Sequence, residues 1–278
     1  VETVAGVFLV LPKKETHMKG VLFLMAAASV VAAGCGTVSS SSAPAGSRAG
    51  APAVVTAPTV PAAAAAVVGS VTRGVAQAVY VDQAPAMDGT LSAPVWQKCP
   101  PLVLGPIATQ TSGATLHTTA RVLFDQQNVY IGWQCMEKNT GALAANASGR
   151  DGEVWSDDCF EIYLSPDGDK AYHFGVNSKG VLLDGKSDLG ERSVNSWNSG
   201  ATAKAAVEKD TCWTGTLCIP LKDLAPKSGK DQTWKFNLNR SKPTGDGETF
   251  TEQSWSPTGL HRYRDATGWG KITGVNVP

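Results

Sequence analysis

Charge is scarce in this chain. Of 278 residues only 17% are Asp, Glu, Lys or Arg, and the 24 basic residues cancel the 24 acidic ones. An average soluble domain carries roughly 25%. With no basic footprint, phosphate-driven nucleic-acid binding is excluded as the main activity. Six cysteines are too few for a disulfide-built scaffold, and no C-x-x-C spacing or adjacent histidine favours zinc. No G-x-S-x-G, H-E-x-x-H or phosphate-binding glycine loop occurs. The apolar run from Gly20 to Val31 falls short of the about 20 residues that span a bilayer.

What is present is unevenly spread. Residues 1–35 read as leader and signal: Met18-Lys19, the apolar run, then Ala32-Ala33-Gly34-Cys35. Small residues running directly into Cys resemble a bacterial lipobox, with Ala32 where Leu is commoner. The resemblance implies lipidation at Cys35 and a place in the bacterial cell envelope. The alternative is an ordinary secretory signal with an incidental cysteine. Gly36, where an inner-membrane retention signal usually has Asp, favours the outer membrane. Residues 1–17 fit nothing and read as a mis-called start upstream of Met18.

Residues 36–77 are Ala-, Ser- and Pro-rich, with Arg48 and Arg73 as the charges and no aromatic side chain. Such a segment buries too little surface to offset its ordering entropy, so it reads as a disordered tether. A flexible leash of that length reaches roughly 35 Å.

From residue 78 to 278 the texture changes, and all eight Trp and all five Tyr lie there. His117 to Phe124 and Val129 to Glu137 read as strands joined by Asp125-Gln126-Gln127-Asn128. Cys159 to Leu164 and Ala171 to Asn177 flank a second turn cluster, Ser165 to Lys170. Val181 to Leu183, Ala201 to Glu208, Cys212 to Ile219 and Thr233 to Arg240 continue the pattern, with one helical turn at Leu221 to Leu224. Many short strands and polar turns predict an all-β fold, a two-sheet antiparallel β-sandwich. Cys135, Cys159 and Cys218 fall within apolar strands and read as small buried side chains.

The segment running from Arg150 through Trp155-Ser156-Asp157-Asp158-Cys159-Phe160-Glu161-Ile162-Tyr163-Leu164 is the most informative. Strand alternation puts Phe160, Ile162 and Leu164 on one face and Cys159, Glu161 and Tyr163 on the other. The aliphatic face belongs to the core, so Glu161 is displayed beside Tyr163, with Trp155 on the loop feeding the strand. Aromatic platforms beside a carboxylate suit a sugar, whose C–H face packs on indole and whose hydroxyls need charged acceptors and donors. The bland alternative is a loop-covering Trp155 and a solvated Glu161.

An ordered series of segments resembles the family 9 carbohydrate-binding modules. It opens with Met87-Asp88-Gly89-Thr90-Leu91, Trp96, and Ala120-Arg121-Val122-Leu123-Phe124-Asp125. It passes through the Trp155 segment, Phe174 to Gly180, Trp213-Thr214 and Ile219-Pro220-Leu221. Phe236-Asn237-Leu238-Asn239-Arg240, Ser254-Trp255-Ser256-Pro257 and Gly268-Trp269-Gly270 close it. The resemblance implies a β-sandwich binding an end sugar between two Trp rings, here Trp155 and Trp255, with Glu161 as acceptor and Arg240 as donor. Arg240 shares strand parity with Trp234, Phe236 and Leu238, so that role requires a strand end or bulge. Glu252 and Thr216 depart from the family pattern. The resemblance also implies a structural calcium, for which Asp157, Asp158, Asp167 and Asp169 offer hard oxygen ligands; no cofactor is required.

Rival readings differ in class. Paired carboxylates of a glycosidase would have to be Asp158 and Glu161, which strand parity sends to opposite faces. A b-type haem sandwich would draw ligands from Met87, Met136, His173 and His261. A ligand-free structural lipoprotein would keep the core Trp residues alone. The expectation is a non-catalytic, envelope-tethered lipoprotein binding a poly- or oligosaccharide, beside separate glycoside hydrolases, with the membrane met through the lipid anchor.

Overall fold

The computed structural model describes residues 73–107, 116–244, 250–258 and 263–278. The leader at residues 1–35 with Cys35, the tether as far as residue 72, and His261 lie outside the described residues.

In chain order the strands are β1 (Val75–Gln77), β2 (Leu102–Pro106), β3 (Thr118–Phe124), β4 (Asn128–Met136), β5 (Cys159–Ser165) and β6 (Lys170–Asn177). They continue with β7 (Leu182–Asp188), β8 (Thr202–Glu208), β9 (Cys212–Pro220), β10 (Gly229–Pro243), β11 (Phe250–Ser254) and β12 (Gly270–Val277). Helical turns are short 3-10 pieces, among them Val154–Ser156 and the expected Leu221–Leu224. The last three residues assigned to the tether are therefore strand: Val75 pairs with Lys271 in parallel register, and the fold starts ahead of Ala78.

Two antiparallel layers result. One runs β7-β6-β5-β10, and the fifteen-residue β10 splits its far edge between β12, along its first half, and β11, along its second. The other runs β2-β3-β4-β9-β8. A short pairing of β11 with β2, Gln253 opposite Pro106 and Ser254 opposite Gly105, joins them. This is the two-sheet sandwich that the alternation predicted.

The core lies between the layers. Phe160, Ile162 and Leu164 of β5, with Trp234, Phe236 and Leu238 of β10, meet Val122, Ile131, Trp133 and Leu217 of the facing sheet. Trp133 stacks on Phe160 across the gap, centroids 4.8 Å apart and planes within 3°. Gly215 makes room for that indole: a Cβ there would overlap the Trp133 ring. The cysteines from Cys99 to Cys218 are free thiols, and all but the partly covered Cys218 are buried. Burial pushes the Cys135 thiol up to about 12, in keeping with inert filler.

The outer faces differ. Over β3 and β4 the turn Pro94–Lys98 lays Trp96 on Leu123 and Tyr130. Over β5, β6 and β7, the outward side chains are left to shape a hollow.

Candidate functional site

Strand parity supplies the floor of that hollow. β5 turns Glu161 and Tyr163 outward, and β6 answers with Gly175 opposite Glu161 and His173 opposite Tyr163. The next strand continues with Gly185 opposite His173. Tyr163 and His173 stack, centroids 4.3 Å apart and 5° from parallel.

Glu161, although a carboxylate, is buried to 6% exposure, and its polar atoms are accounted for. Tyr163 donates its hydroxyl to Oε2 at 3.1 Å, and His173 Nε2 lies 2.7 Å from the same oxygen. An ionised carboxylate only accepts, so Nε2 carries the hydrogen. Nδ1 lies 3.2 Å from Ser193 Oγ, within hydrogen-bond reach. Burial, then the neighbouring Glu161 charge, pushes the Tyr163 phenol well above its ordinary range, so it stays a donor. Oε1 keeps only a long contact, 3.9 Å, from the Cys159 thiol.

Three loops raise the walls. The turn Val154–Ser156 is pinned by buried Val154 and leaves Trp155 39% exposed at the rim. Residues 189–200 are tied by the Lys186–Val194 bridge, by Trp197 packed edge-on against Tyr172, and by Arg150. Arg150 grips the Asp184 carboxylate with two bonds and reaches the carbonyls of Ser199 and Ala201. Because Gly185 has no side chain, Ser193 and Asn195 settle close over β7. The third wall holds Trp269, whose Nε1 donates to Tyr263 O at 2.6 Å and whose ring lies 5.3 Å from Tyr163. The enclosed space is about 230 Å³, with Trp155, Trp269, Arg192 and Arg264 in its lining beside Glu161 and His173. That is below the ~300–1,000 Å³ of drug-sized sites and suits one small ring.

Of the four residues expected to bind sugar, Trp155 and Glu161 are brought together here and the other two are not. Trp255 is a correction. Its indole packs on the core beside Phe236, centroids 5.6 Å apart, and the backbones of Gly74 and Gly270 press on it. A Cβ on Gly74 would stand 2.7 Å from the ring. Trp269 is the indole that shares the hollow with Trp155.

Arg240 is the second correction. The β10–β5 register runs unbroken through Asn239–Glu161 and Arg240–Phe160, so no bulge turns it outward. Its side chain is wholly buried on the inner face. Nη1 donates to Thr118 Oγ1 and to Met136 O, both at 3.2 Å, and Nη2 lies 3.6 Å from Glu137 Oε2. Lys242 also pairs with Glu137.

The aspartates expected to hold calcium fall in two places, Asp157 and Asp158 ahead of β5 and Asp167 and Asp169 in the turn after it. Asp157 accepts backbone N–H groups from Asn146 and Ala147 and the Asn177 amide, donors that repel a cation. Asp158 accepts from Ala144 N, and burial raises its carboxyl above the usual range. Asp167 accepts from the N–H groups of Asp169 and Lys170, capping the β5–β6 turn. Among the described residues no group of three His, Cys, Asp or Glu side chains is placed to share a metal. The haem candidates are dispersed likewise: Met87 packs beside the Trp96 cluster over the other sheet, while His173 faces Glu161.

These features match a known family. The family model described as carbohydrate family 9 binding domain-like matches residues 87–276. The chain belongs to that family. Similar solved structures include a candidate carbohydrate-binding protein from Bacteroides uniformis, 21% identical, with a TM-score of 0.58, covering 72% of this chain and 98% of that one. Family 9 carbohydrate-binding modules of Caldicellulosiruptor kristjanssonii, in complex with cellotriose and with glucose, are each 13% identical with a TM-score of 0.53. They cover 73% of this chain and 95% and 97% of their own. At such identities the likeness is one of fold. No curated protein matches the chain.

Sequence reasoning missed His173, Trp269, Arg192 and Arg264 as parts of the site. Parity held a signal for His173: Tyr172, Phe174 and Val176 point inward, so His173 faces out on the strand after Glu161. The two arginines sit on loops, where no periodicity marks them.

Proposed function

We propose that the protein is a non-catalytic carbohydrate-binding lipoprotein that holds one terminal sugar ring in the hollow over β5, β6 and β7. The observation that carries this reading is the meeting of rim-exposed Trp155 with the buried acceptor Glu161 in a cavity of about 230 Å³, within a carbohydrate-binding family. Trp155 offers an apolar face to the C–H side of a pyranose, and the Glu161 carboxylate accepts from a hydroxyl.

Attachment through Cys35 at the bacterial outer membrane belongs to the same reading, supported by the Met18–Cys35 pattern and the Pro-rich stretch behind it. Held there, the domain would retain glycans beside separate glycoside hydrolases. Calorimetric titration of the purified protein with mono- and oligosaccharides tests the binding. A dissociation constant in the micromolar range, about −8 kcal/mol, is expected. Silence against a broad glycan panel would sink the reading.

A further inference from the structure

The hollow carries two guanidinium groups that a neutral sugar does not require. Arg192 and Arg264 both line it, both are exposed, and neither guanidinium is paired with a carboxylate among the described residues. Each is rooted in ordered backbone. Arg192 stands two residues ahead of Val194, which bridges to Lys186 in both directions, Val194 N to Lys186 O at 3.0 Å and the reverse at 3.4 Å. Arg264 follows Tyr263, whose hydroxyl donates to Arg240 O at 2.9 Å, and precedes the Asp265 turn that caps Thr267 N. The Arg264 charge offsets part of the rise of the Tyr163 phenol.

Two carboxylates share the lining, Glu161 and Glu191. Glu161 is committed to the His173 and Tyr163 donors, which spread its charge over the floor. Glu191 is exposed, as both arginines are, so solvent weakens the field of all three alike. A carboxylate entering the hollow meets two planar forks in its lining, and such charge-assisted pairs are roughly twice as strong as neutral hydrogen bonds.

We infer that the terminal ring held in this hollow is an acidic sugar, a uronate whose carboxylate is clamped by Arg192 and Arg264 while Trp155 packs on its ring. This rests on the carbohydrate-binding reading above and names its ligand class.

The test is calorimetric titration of the purified protein with glucuronate, galacturonate, the methyl esters of both, and the parent hexoses, glucose and galactose. The esters keep the shape of the acid and remove its charge. At least one uronate should bind tenfold or more tighter than its ester and its hexose, and raising the salt should erode that advantage. In an Arg192→Ala/Arg264→Ala variant the gap between uronate and ester should close. A hexose or ester binding as tightly as its uronate would overturn the acidic-sugar assignment and leave the carbohydrate reading standing. A panel in which no uronate, ester, hexose or longer glycan binds would remove both. Retention of the uronate preference in the double variant would likewise overturn the clamp.

Discussion

Tyr163 and His173 face each other across the β5–β6 ladder, and both deliver a hydrogen to one oxygen of Glu161, Oε2. The pair thus fixes the carboxylate in the floor of the hollow through Oε2. Tyr163→Phe removes one of the two donors but keeps the ring stack, so affinity for the preferred sugar should fall several-fold with stability nearly unchanged. His173→Ala removes donor and platform together, and a loss of more than tenfold is expected. Titration of both variants, with circular dichroism confirming the fold, checks the order.

The two tryptophans at 155 and 255 should separate cleanly. Trp155→Ala deletes an exposed ring at the rim, so binding should be largely lost while stability stays within about 0.5 kcal/mol. Trp255→Ala empties a space packed by Phe236, Gly74 and Gly270, at a cost of about 3 kcal/mol. Urea denaturation beside titration distinguishes them, and equal stability losses would contradict the assignment.

Arg240 should behave as a core residue. Arg240→Ala strips a buried cation from Thr118, Met136 O and Glu137, and breaking such a buried pair costs about 3–5 kcal/mol. The denaturation midpoint should drop, while the fraction that remains folded binds sugar with unaltered affinity. Affinity lost without stability would return Arg240 to the site.

Acid should act through Glu137. Burial alone would raise its carboxyl, but the Lys242 pair, the Asn139 N–H and Arg240 outweigh burial and hold it below the usual carboxylate range. A depressed folded value means its stabilisation is full above the unfolded value of about 4.3. That stabilisation fades as pH falls through the lower folded value. Glu137→Gln should melt lower at pH 6, by about 1–3 kcal/mol of stability, and show a shallower decline than the parent as pH falls below about 4.3.

The alternation of Phe160, Ile162 and Leu164 with Glu161 and Tyr163 was enough to foresee β5, its faces and half of the hollow. β2, β11 and β12 were less legible. β2 ends in Gly105-Pro106 and β11 reads Phe-Thr-Glu-Gln-Ser, patterns whose strand character comes from the pairing they find. Trp255 and Trp269 could not be told apart by residue type. What separates them is the return of β1 onto β12, which brings Gly74 over the first indole and leaves the second beside Tyr163. Parity alone placed Arg240 inward, and the unbroken ladder with β5 agrees with parity over the role that the family resemblance implied.

The pairing of Val75 with Lys271 has a consequence for how the domain is made. Its opening strand finds its neighbour nearly two hundred residues later in the chain, so a ribosome must deliver β12 before the sandwich can close. Until then β1 and the first half of β10 lack a hydrogen-bonding edge, and a nascent polypeptide halted ahead of Gly270 would stay vulnerable to proteases. Contacts of such high sequence separation fold slowly.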